Sequence, residues 1–300
     1  MRAATGEDGL APAQVEILEK TRCTVGEGLI WCARSGYLWW VDIHGQQICR
    51  MKAGATAPER WELPGQPGCL ALTEGPEILV VMPEGPALFS PESGSLVEQT
   101  RVLPGPDIHR ANDGTVSGAG RLYFGTMAYG DRVENPGVLY RYDEGGLVPL
   151  MGGLHVPNGL AFSPDDRTAY LSDSFPEVRR IWSFDHDPDT GALTGQRLFF
   201  DTAPEAGRPD GACIDADGCY WMAGVGGGQL VRVTPAGQVD LRIDLPLRNP
   251  TRPCFGGPDL RTLYTTSLRR PGDAVELDGC VMAVRVAQQG LPGAVYRHGL

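Results

Sequence analysis

The sequence predicts an all-β protein, a six-bladed β-propeller whose four-stranded antiparallel blades surround a central channel. A turn residue followed by a short apolar and aromatic strand occurs six times, at intervals of about 40 to 50 residues, which is the spacing of propeller blades. The composition agrees, because 41 glycines and 25 prolines in 300 residues favour many short elements over long helices. A closed ring of small sheets also buries faces that one four-stranded sheet would leave exposed.

Each repeat unit supplies two recognisable strands. The first strand of every unit is an aromatic and β-branched run bounded by Gly, Pro or Asp, which is typical of strands. These first strands are SGYLWWVD, GPEILVVM, AGRLYFGTM, DRTAYLSDS, DGCYWMAGV and LRTLYTTS. A second strand follows each of them, most often closed by a Pro, Asp or Gly turn. The six units account for nearly the whole chain, which favours one propeller over several separate small β domains.

Bulk properties set the domain boundaries and exclude some partners. We expect residues 15–300 to form the single propeller domain and residues 1–14 to be a flexible tail, because MRAATGEDGLAPAQ has no apolar core and is not a secretory signal. A net charge of -11 argues against nucleic acid or a membrane surface as a partner. Eight cysteines without a C-x-x-C pair are expected to be reduced, mostly buried thiols, which indicates a cytoplasmic protein. The sequence leaves the oligomeric state open.

The innermost strand of each blade lines the channel, so a residue just before that strand can face the axis. The six predicted starts are VGEGLIW, QPGCLAL, RANDGTV, VPNGLAF, RPDGACI and RPCFGG. Three of them carry an oxygen side chain before a glycine, namely Glu27, Asn158 and Asp210. The third start offers Asn112 and Asp113.

Two interpretations of these residues compete. Asn-Gly and Asp-Gly are common turn dipeptides, and Pro157-Asn158-Gly159 is expected to form a tight turn. Glu27 fits a turn poorly, whereas the shared register predicts that Glu27, Asn158 and Asp210 meet on one axis. Two carboxylates in one channel repel each other without a cation, and an oxygen-only set suits Ca²⁺, Mg²⁺ or Mn²⁺. The sequence therefore predicts a divalent metal site in the channel.

Other catalytic patterns are absent from the sequence. It contains no G-x-S-x-G elbow, no H-E-x-x-H and no P-loop. His109 and His155 lie just before two inner-strand starts, either as ordinary loop residues or at the channel mouth. A covalent nucleophile mechanism thus has no support in the sequence.

Several of the stretches above resemble the SMP-30/gluconolactonase/luciferin-regenerating-enzyme family, whose members are six-bladed propellers. The matching stretches are VGEGLIW, HRANDGTVSGAGRLYFGTM, VPNGLAFSPDDRTAYLSDS, DPDTGAL, RPDGACIDADGCYWMAGVGGGQLVRVTPAG and PTRPCFGGPDLRTLYTTS. The resemblance implies one divalent metal ion (Ca, Mg, Mn, Zn or Fe) held by Glu27, Asn158 and Asp210. It also implies that Arg110 and Asn112 contact the substrate. Without the resemblance, Arg110 would be interpreted as a surface residue paired with a nearby acid.

The sequence also departs from the family pattern. Leu29 stands where the family commonly has Pro, and Ser117 stands where it often has Asp. In the loop 128–136, Tyr129 precedes the acidic residues Asp131 and Glu134, and we expect this loop to set substrate choice.

The resemblance implies an activity, the hydrolysis of a lactone, most often a sugar-acid (aldono-) lactone such as gluconolactone. A metal would polarise the carbonyl and Asp210 would act as general base toward water. The alternatives are a non-catalytic, regucalcin-like metal-binding propeller, and a hydrolase acting on a non-sugar ester or an organophosphate.

Overall fold

The structure is a computed structural model that forms a closed ring of six sheets. It describes residues 15–19, 22–99, 103–130, 136–272 and 274–297. Each sheet contacts the next through its innermost strand, and the innermost strand of the last sheet contacts that of the first. The predicted six-bladed propeller is confirmed. The predicted tail, residues 1–14, and residues 131–135 of the loop 128–136 lie outside the described residues.

The first three sheets, called blades 1 to 3, follow one another along the chain. Within each blade, the strands are given in order from the channel outward. Blade 1 contains β2 (Gly26–Cys32), β3 (Tyr37–Asp42), β4 (Gln47–Lys52) and β5 (Glu59–Glu62). Blade 2 contains β6 (Leu70–Thr73), β7 (Ile78–Met82), β8 (Gly85–Phe89) and β9 (Leu96–Glu98). Blade 3 contains β10 (His109–Val116), β11 (Leu122–Ala128), β12 (Gly137–Asp143) and β13 (Gly146–Leu154).

Blades 4 to 6 complete the ring. Blade 4 contains β14 (Pro157–Phe162), β15 (Thr168–Asp173), β16 (Arg180–His186) and β17 (Leu193–Asp201). Blade 5 contains β18 (Arg208–Ile214), β19 (Tyr220–Val225), β20 (Gln229–Val233) and β21 (Val239–Asp244). Blade 6 contains β22 (Pro250–Gly256), β23 (Thr262–Ser267), β24 (Val281–Arg285) and, as its outermost strand, β1 (Val15–Glu19). The pairing of β1 with β24 closes the ring, because it joins the two ends of the chain in one sheet.

Blade 2 departs from the predicted four-stranded antiparallel pattern. A short strand near the C-terminus, β25 (Val295–Tyr296), pairs parallel with β6, so this sheet has five strands. The inner edge of β6 would otherwise present unpaired backbone groups toward the channel, and β25 covers that edge. The repeat could not predict β25, because no other blade has such a strand.

The core consists of six clusters of buried apolar residues, one at each interface between adjacent blades. Trp39 packs between blades 1 and 2, and Trp40 packs between blades 6 and 1. Neighbouring residues of a strand point to opposite faces, so this pair of tryptophans serves both interfaces of blade 1. All eight cysteines are free thiols and six of them are buried. Among the described residues, no helix is long and apolar enough to cross a membrane.

Candidate functional site

The candidate residues lie at β-bulges near the starts of the inner strands. In β2, Glu27 pairs with Val41 but Ile30 pairs with Trp39, so the inner strand contains one extra residue. The stretch Pro157-Asn158-Gly159, which is expected to be a turn, is instead part of β14. This strand also contains one extra residue, located between Asn158 and Ala161. Gly159 has a φ of 62°, a left-handed conformation that glycine adopts without strain. The expectation of a turn was wrong because a bulge and a turn both favour Asn-Gly.

Three further inner strands contain the same kind of bulge. The extra residue lies between Ala111 and Gly114 in β10, between Pro209 and Ala212 in β18, and between Pro250 and Pro253 in β22. Bulges bend a strand and change the direction of its side chains. Asn112, Asp113, Asp210 and Arg252 are the side chains affected. The bulges therefore direct the polar residues of different blades toward one end of the channel.

Blades 3 and 4 are joined at this end by a chain of side-chain hydrogen bonds. Arg110 Nη1 donates to Asn112 Oδ1 over 2.8 Å, and Asn112 Nδ2 donates to Asn158 Oδ1 over 3.0 Å. Asn158 Nδ2 donates in turn to Ser174 Oγ over 2.9 Å. All four side chains are buried, so Arg110 is not a surface residue. The family resemblance implies that Arg110 and Asn112 contact the substrate. Both residues thus lie beside Asn158, a predicted metal ligand.

Glu27 and Asp210, from blades 1 and 5, are buried carboxyls close enough to affect each other's pKa. Burial raises the pKa of Glu27 well above its usual range, and the charges of Asp210 and Asp113 raise it further. Burial, then repulsion from Asp113, raises the pKa of Asp210 to about 7. Like charges held together in a poorly solvated channel destabilise the ionised forms of both groups.

This donor set fits a hard divalent cation. Glu27 and Asp210 offer carboxylate oxygens, and Asn158 Oδ1 keeps a lone pair beyond the one that accepts from Asn112. A cation of charge +2 would compensate the two carboxylates whose repulsion the structure shows. No group of three or more His, Cys, Asp or Glu side chains suited to a metal occurs among the described residues. The mixed set of two carboxylates and one amide is therefore the candidate, and the metal itself stays a prediction.

A buried ion pair between Arg252 and Asp113 lies next to these residues. The sequence identifies only Asp113 as a candidate. Arg252 Nη1 donates to Asp113 Oδ1 over 2.5 Å, and Leu160 N donates to Asp113 Oδ2 over 3.0 Å. Asp113 was offered as a candidate at an inner-strand start, but nothing singled out Arg252. The only available signal was its position as the first residue of the sixth inner-strand start, RPCFGG.

The remaining residues named from the sequence lie around the site or away from it. Tyr129 is partly buried, and burial raises its pKa while the neighbouring Arg110 lowers it. The ring of His155 stacks on Phe175 with centroids 4.6 Å apart. Leu29 is fully buried in the interface between blades 6 and 1. Of these, Tyr129 contributes a polar group near Arg110.

A model of the SMP-30/gluconolactonase/LRE-like region matches residues 25–269. The chain belongs to this family. The 6-deoxy-6-sulfogluconolactonase of Pseudomonas putida is 39% identical to it over 285 residues, covering 91% of this chain and 97% of that protein. The L-arabinolactonase of Azospirillum brasilense is 34% identical over 283 residues, covering 92% of each chain.

Solved structures agree with the family assignment. The calcium-binding protein regucalcin from Agrobacterium tumefaciens has a TM-score of 0.89 and 28% identity, covering 95% of this chain and 98% of that one. The match spans nearly the whole of both chains. This chain therefore shares its fold with that protein.

Proposed function

We propose that this protein is a divalent-metal-dependent lactonase that hydrolyses a sugar-acid lactone such as gluconolactone. The observation that supports the proposal is the convergence of Glu27, Asn158 and Asp210 beside Arg110 and Asn112. Relatives at 39% and 34% identity are named as lactonases of sugar acids, and their matches cover more than nine-tenths of this chain.

Glu27, Asn158 and Asp210 would hold the metal through oxygen atoms. A bound divalent ion supplies Lewis acidity at the lactone carbonyl and compensates the two carboxylates. Ca²⁺, Mg²⁺, Mn²⁺, Zn²⁺ and Fe²⁺ are the candidates, since all-oxygen sites accept several metals. With only these three residues as ligands, a bound ion would remain accessible to substrate and water, as in catalytic rather than structural sites.

Asp210 is the proposed general base. Its carboxylate takes a proton from water while the water oxygen bonds to the carbonyl carbon. The bond from that carbon to the ring oxygen then breaks, and the ring oxygen receives the proton, which gives the open sugar acid. General-base catalysis contributes roughly 10²- to 10⁴-fold. No covalent intermediate is needed, in agreement with the absence of a nucleophile motif.

Arg110 and Asn112 are the proposed substrate-binding residues. Burial lowers the pKa of Arg110 to about 10, so the guanidinium stays charged near neutral pH. The hydrogen bond from Arg110 to Asn112 fixes both side chains against each other. Donors held in this way orient a sugar ring for attack, which lowers the entropic part of the barrier.

A second candidate function is metal binding without catalysis. The observation that favours it is the similarity to regucalcin, which is named a calcium-binding protein. Arg110 and Asn112, buried beside the proposed ligand Asn158, support chemistry instead.

The decisive experiment measures proton release from a panel of aldonolactones in weak buffer with a pH indicator. Protein stripped with chelator is compared with the same protein supplied with each of the five metals. Hydrolysis above the spontaneous rate that depends on metal is the expected result. Asp210→Asn keeps an oxygen ligand but removes the base, so we expect metal binding with turnover reduced roughly 10²- to 10⁴-fold. Metal binding without accelerated hydrolysis of any lactone would favour the non-catalytic alternative.

A further inference from the structure

A cavity of about 450 Å³ occupies the part of the channel that lies beyond the candidate site. All six inner strands line it, each with residues from its second half, such as residues 29–31 in blade 1 and 212–214 in blade 5. The candidate site is built from residues near the starts of the same strands. The cavity therefore lies toward the opposite end of the channel.

One position of each inner strand faces this cavity. In blades 1 and 5 it lies three residues after Glu27 and Asp210. The residues at this position, one from each blade, all line the cavity: Ile30, Ala71, Thr115, Ala161, Cys213 and Cys254. All but the two alanines are partly exposed, although both of their neighbours in the strand are buried. The second strand of each blade covers the outer edge of the inner strand, so this exposure faces the channel.

A segment near the C-terminus crosses the far end of the cavity. Gly290 bridges to Asp215, which directly follows the inner strand of blade 5. Five residues later, β25 begins and pairs with the inner strand of blade 2. Blades 2 and 5 face each other across a ring of six, so residues 291–294 span the channel, and all four line the cavity. The segment thus forms the wall opposite the candidate site.

The lining of the cavity is mostly apolar but includes two buried N–H groups. Its aliphatic and aromatic side chains include Leu29, Leu70, Leu160, Phe162, Ile214 and Phe255. Arg252 and Trp31 also line it, and they are 6% and 5% exposed. Arg252 Nε and Trp31 Nε1 have no hydrogen-bond partner among the described residues. A buried donor without an acceptor is costly, and an oxygen atom of a ligand in the cavity would remove that cost.

The charges around the cavity favour a neutral ligand. The guanidinium of Arg252 is already paired with Asp113. The only other charged residue in the lining is Arg297, which is exposed. A carboxylate placed beside Arg252 would be repelled by Asp113 and would lose its hydration in an apolar space. A carbonyl oxygen accepts the same hydrogen bond without that cost.

We propose that this cavity is a second ligand site, which binds a neutral, largely apolar molecule whose carbonyl oxygen accepts a hydrogen bond from Arg252 Nε. Its volume is within the range of small-molecule sites, and an apolar cavity of about 150 Å³ is already large enough for benzene. The site lies outside the proposed lactonase machinery, and the inference does not depend on that activity.

The test uses three probes that share one skeleton, 1-indanone, indane and indane-2-carboxylate. Calorimetry on the whole protein should show 1-indanone binding roughly tenfold more tightly than indane, because only the ketone accepts a hydrogen bond. It should also bind more tightly than the carboxylate. Arg252→Lys keeps a cation beside Asp113 but removes the Nε–H, so it should lower the preference for 1-indanone over indane.

Variants that fill the cavity locate the bound probe. Thr115→Phe and Cys254→Phe should each abolish binding of 1-indanone, whereas Val97→Phe adds the same ring at an exposed position of β9 and should leave it unchanged. The site is refuted if 1-indanone does not bind, which means that the cavity holds only water, or if both filling variants bind it as the wild type does. Tighter binding of the carboxylate, or an unchanged preference in Arg252→Lys, would refute the ligand class.

A second measurement needs no variant and decides the question if the filled proteins do not fold. Cys213 and Cys254 are the two cysteines that are not fully buried, and both line the cavity. Peptide mass spectrometry follows their modification by methyl methanethiosulfonate in the wild type. Saturating 1-indanone should slow modification of both thiols severalfold, and unchanged rates would refute the site.

Discussion

Arg252 in blade 6 donates a hydrogen bond to Asp113 in blade 3, so one buried ion pair spans opposite sides of the ring. Asp113 also accepts from Leu160 N, two residues after Asn158. A Cβ atom added to Gly211 would lie 2.6 Å from Arg252 Cδ, so Arg252 packs directly against the residue that follows Asp210. This pair therefore contacts the backbone next to two of the three predicted metal ligands.

Breaking this pair is expected to destabilise the propeller. The side chains of Arg252 and Asp113 are 7% and 0% exposed, so Arg252→Met leaves a carboxylate buried without its partner. Loss of one partner from a buried pair costs about 3–5 kcal/mol, which denaturant unfolding would measure. The double variant Arg252→Met with Asp113→Asn should recover part of that loss.

An exposed pair provides the control. Arg197 and Asp185 are 52% and 62% exposed, and Arg197→Gln should cost no more than about 1 kcal/mol because water screens the charges. A similar small loss for Arg252→Met would show that the buried pair does not organise the site.

The stability of the metal-free protein should fall as the pH rises between about 4 and 7. The folded state raises the pKa of Asp210 from 3.8 to about 7, so over this window it binds a proton that the unfolded chain has released. The stabilising contribution of Asp210 is complete below its pKa in the unfolded chain. It is lost as the pH rises through its pKa in the folded state. Burial and the neighbouring carboxylates raise the pKa of Glu27 as well, so Glu27→Gln removes a second group of this kind and should flatten the dependence.

Thermal unfolding of chelated protein at several pH values measures that slope, with the wild type compared against Glu27→Gln. Other acids titrate in the same window, so the difference between the two proteins is the informative quantity. Identical slopes would mean that folding does not raise the pKa of Glu27.

Asn112 and Asn158 should separate substrate binding from metal binding. Asn158→Ala removes a proposed ligand and should release the metal on dialysis. Asn112→Ala removes a donor to Asn158 and a proposed contact to the sugar, so the metal should stay bound while kcat/KM falls roughly tenfold to a hundredfold. Metal content after dialysis and steady-state kinetics measure the two effects, and metal loss from Asn112→Ala would place Asn112 among the ligands instead.

The sequence predicted the blades and the inner-strand starts because both repeat. Six copies of one pattern define the register, and this register alone predicts that Glu27, Asn158 and Asp210 lie at one end of the channel. The role assigned to Arg110 and Asn112 came from family resemblance, since one copy of R-x-N-D-G has no counterpart in the other blades.

Features that occur once could not be predicted in this way. The partners Asp113 and Arg252 are 139 residues apart, and neither lies in a repeated slot that marks an ion pair. The sequence does not distinguish the bulge at Asn158 from a turn, because both conformations place glycine at positive φ. Strand β25 contains two residues, too few for a periodic pattern.

Strand β25 is expected to stabilise the ring, although it is short. Tyr296 is 1% exposed and stacks on Tyr142 of blade 3 with centroids 5.6 Å apart, so it joins blade 2 to its neighbour. Tyr296→Ala removes a fully buried aromatic ring and should cost about 3–5 kcal/mol in the free energy of unfolding. Val97→Ala, at a 57% exposed position on β9 of the same blade, should change it by less than about 0.5 kcal/mol. If denaturant unfolding gives equal small losses for the two variants, β25 covers the edge of β6 without contributing to the stability of the propeller.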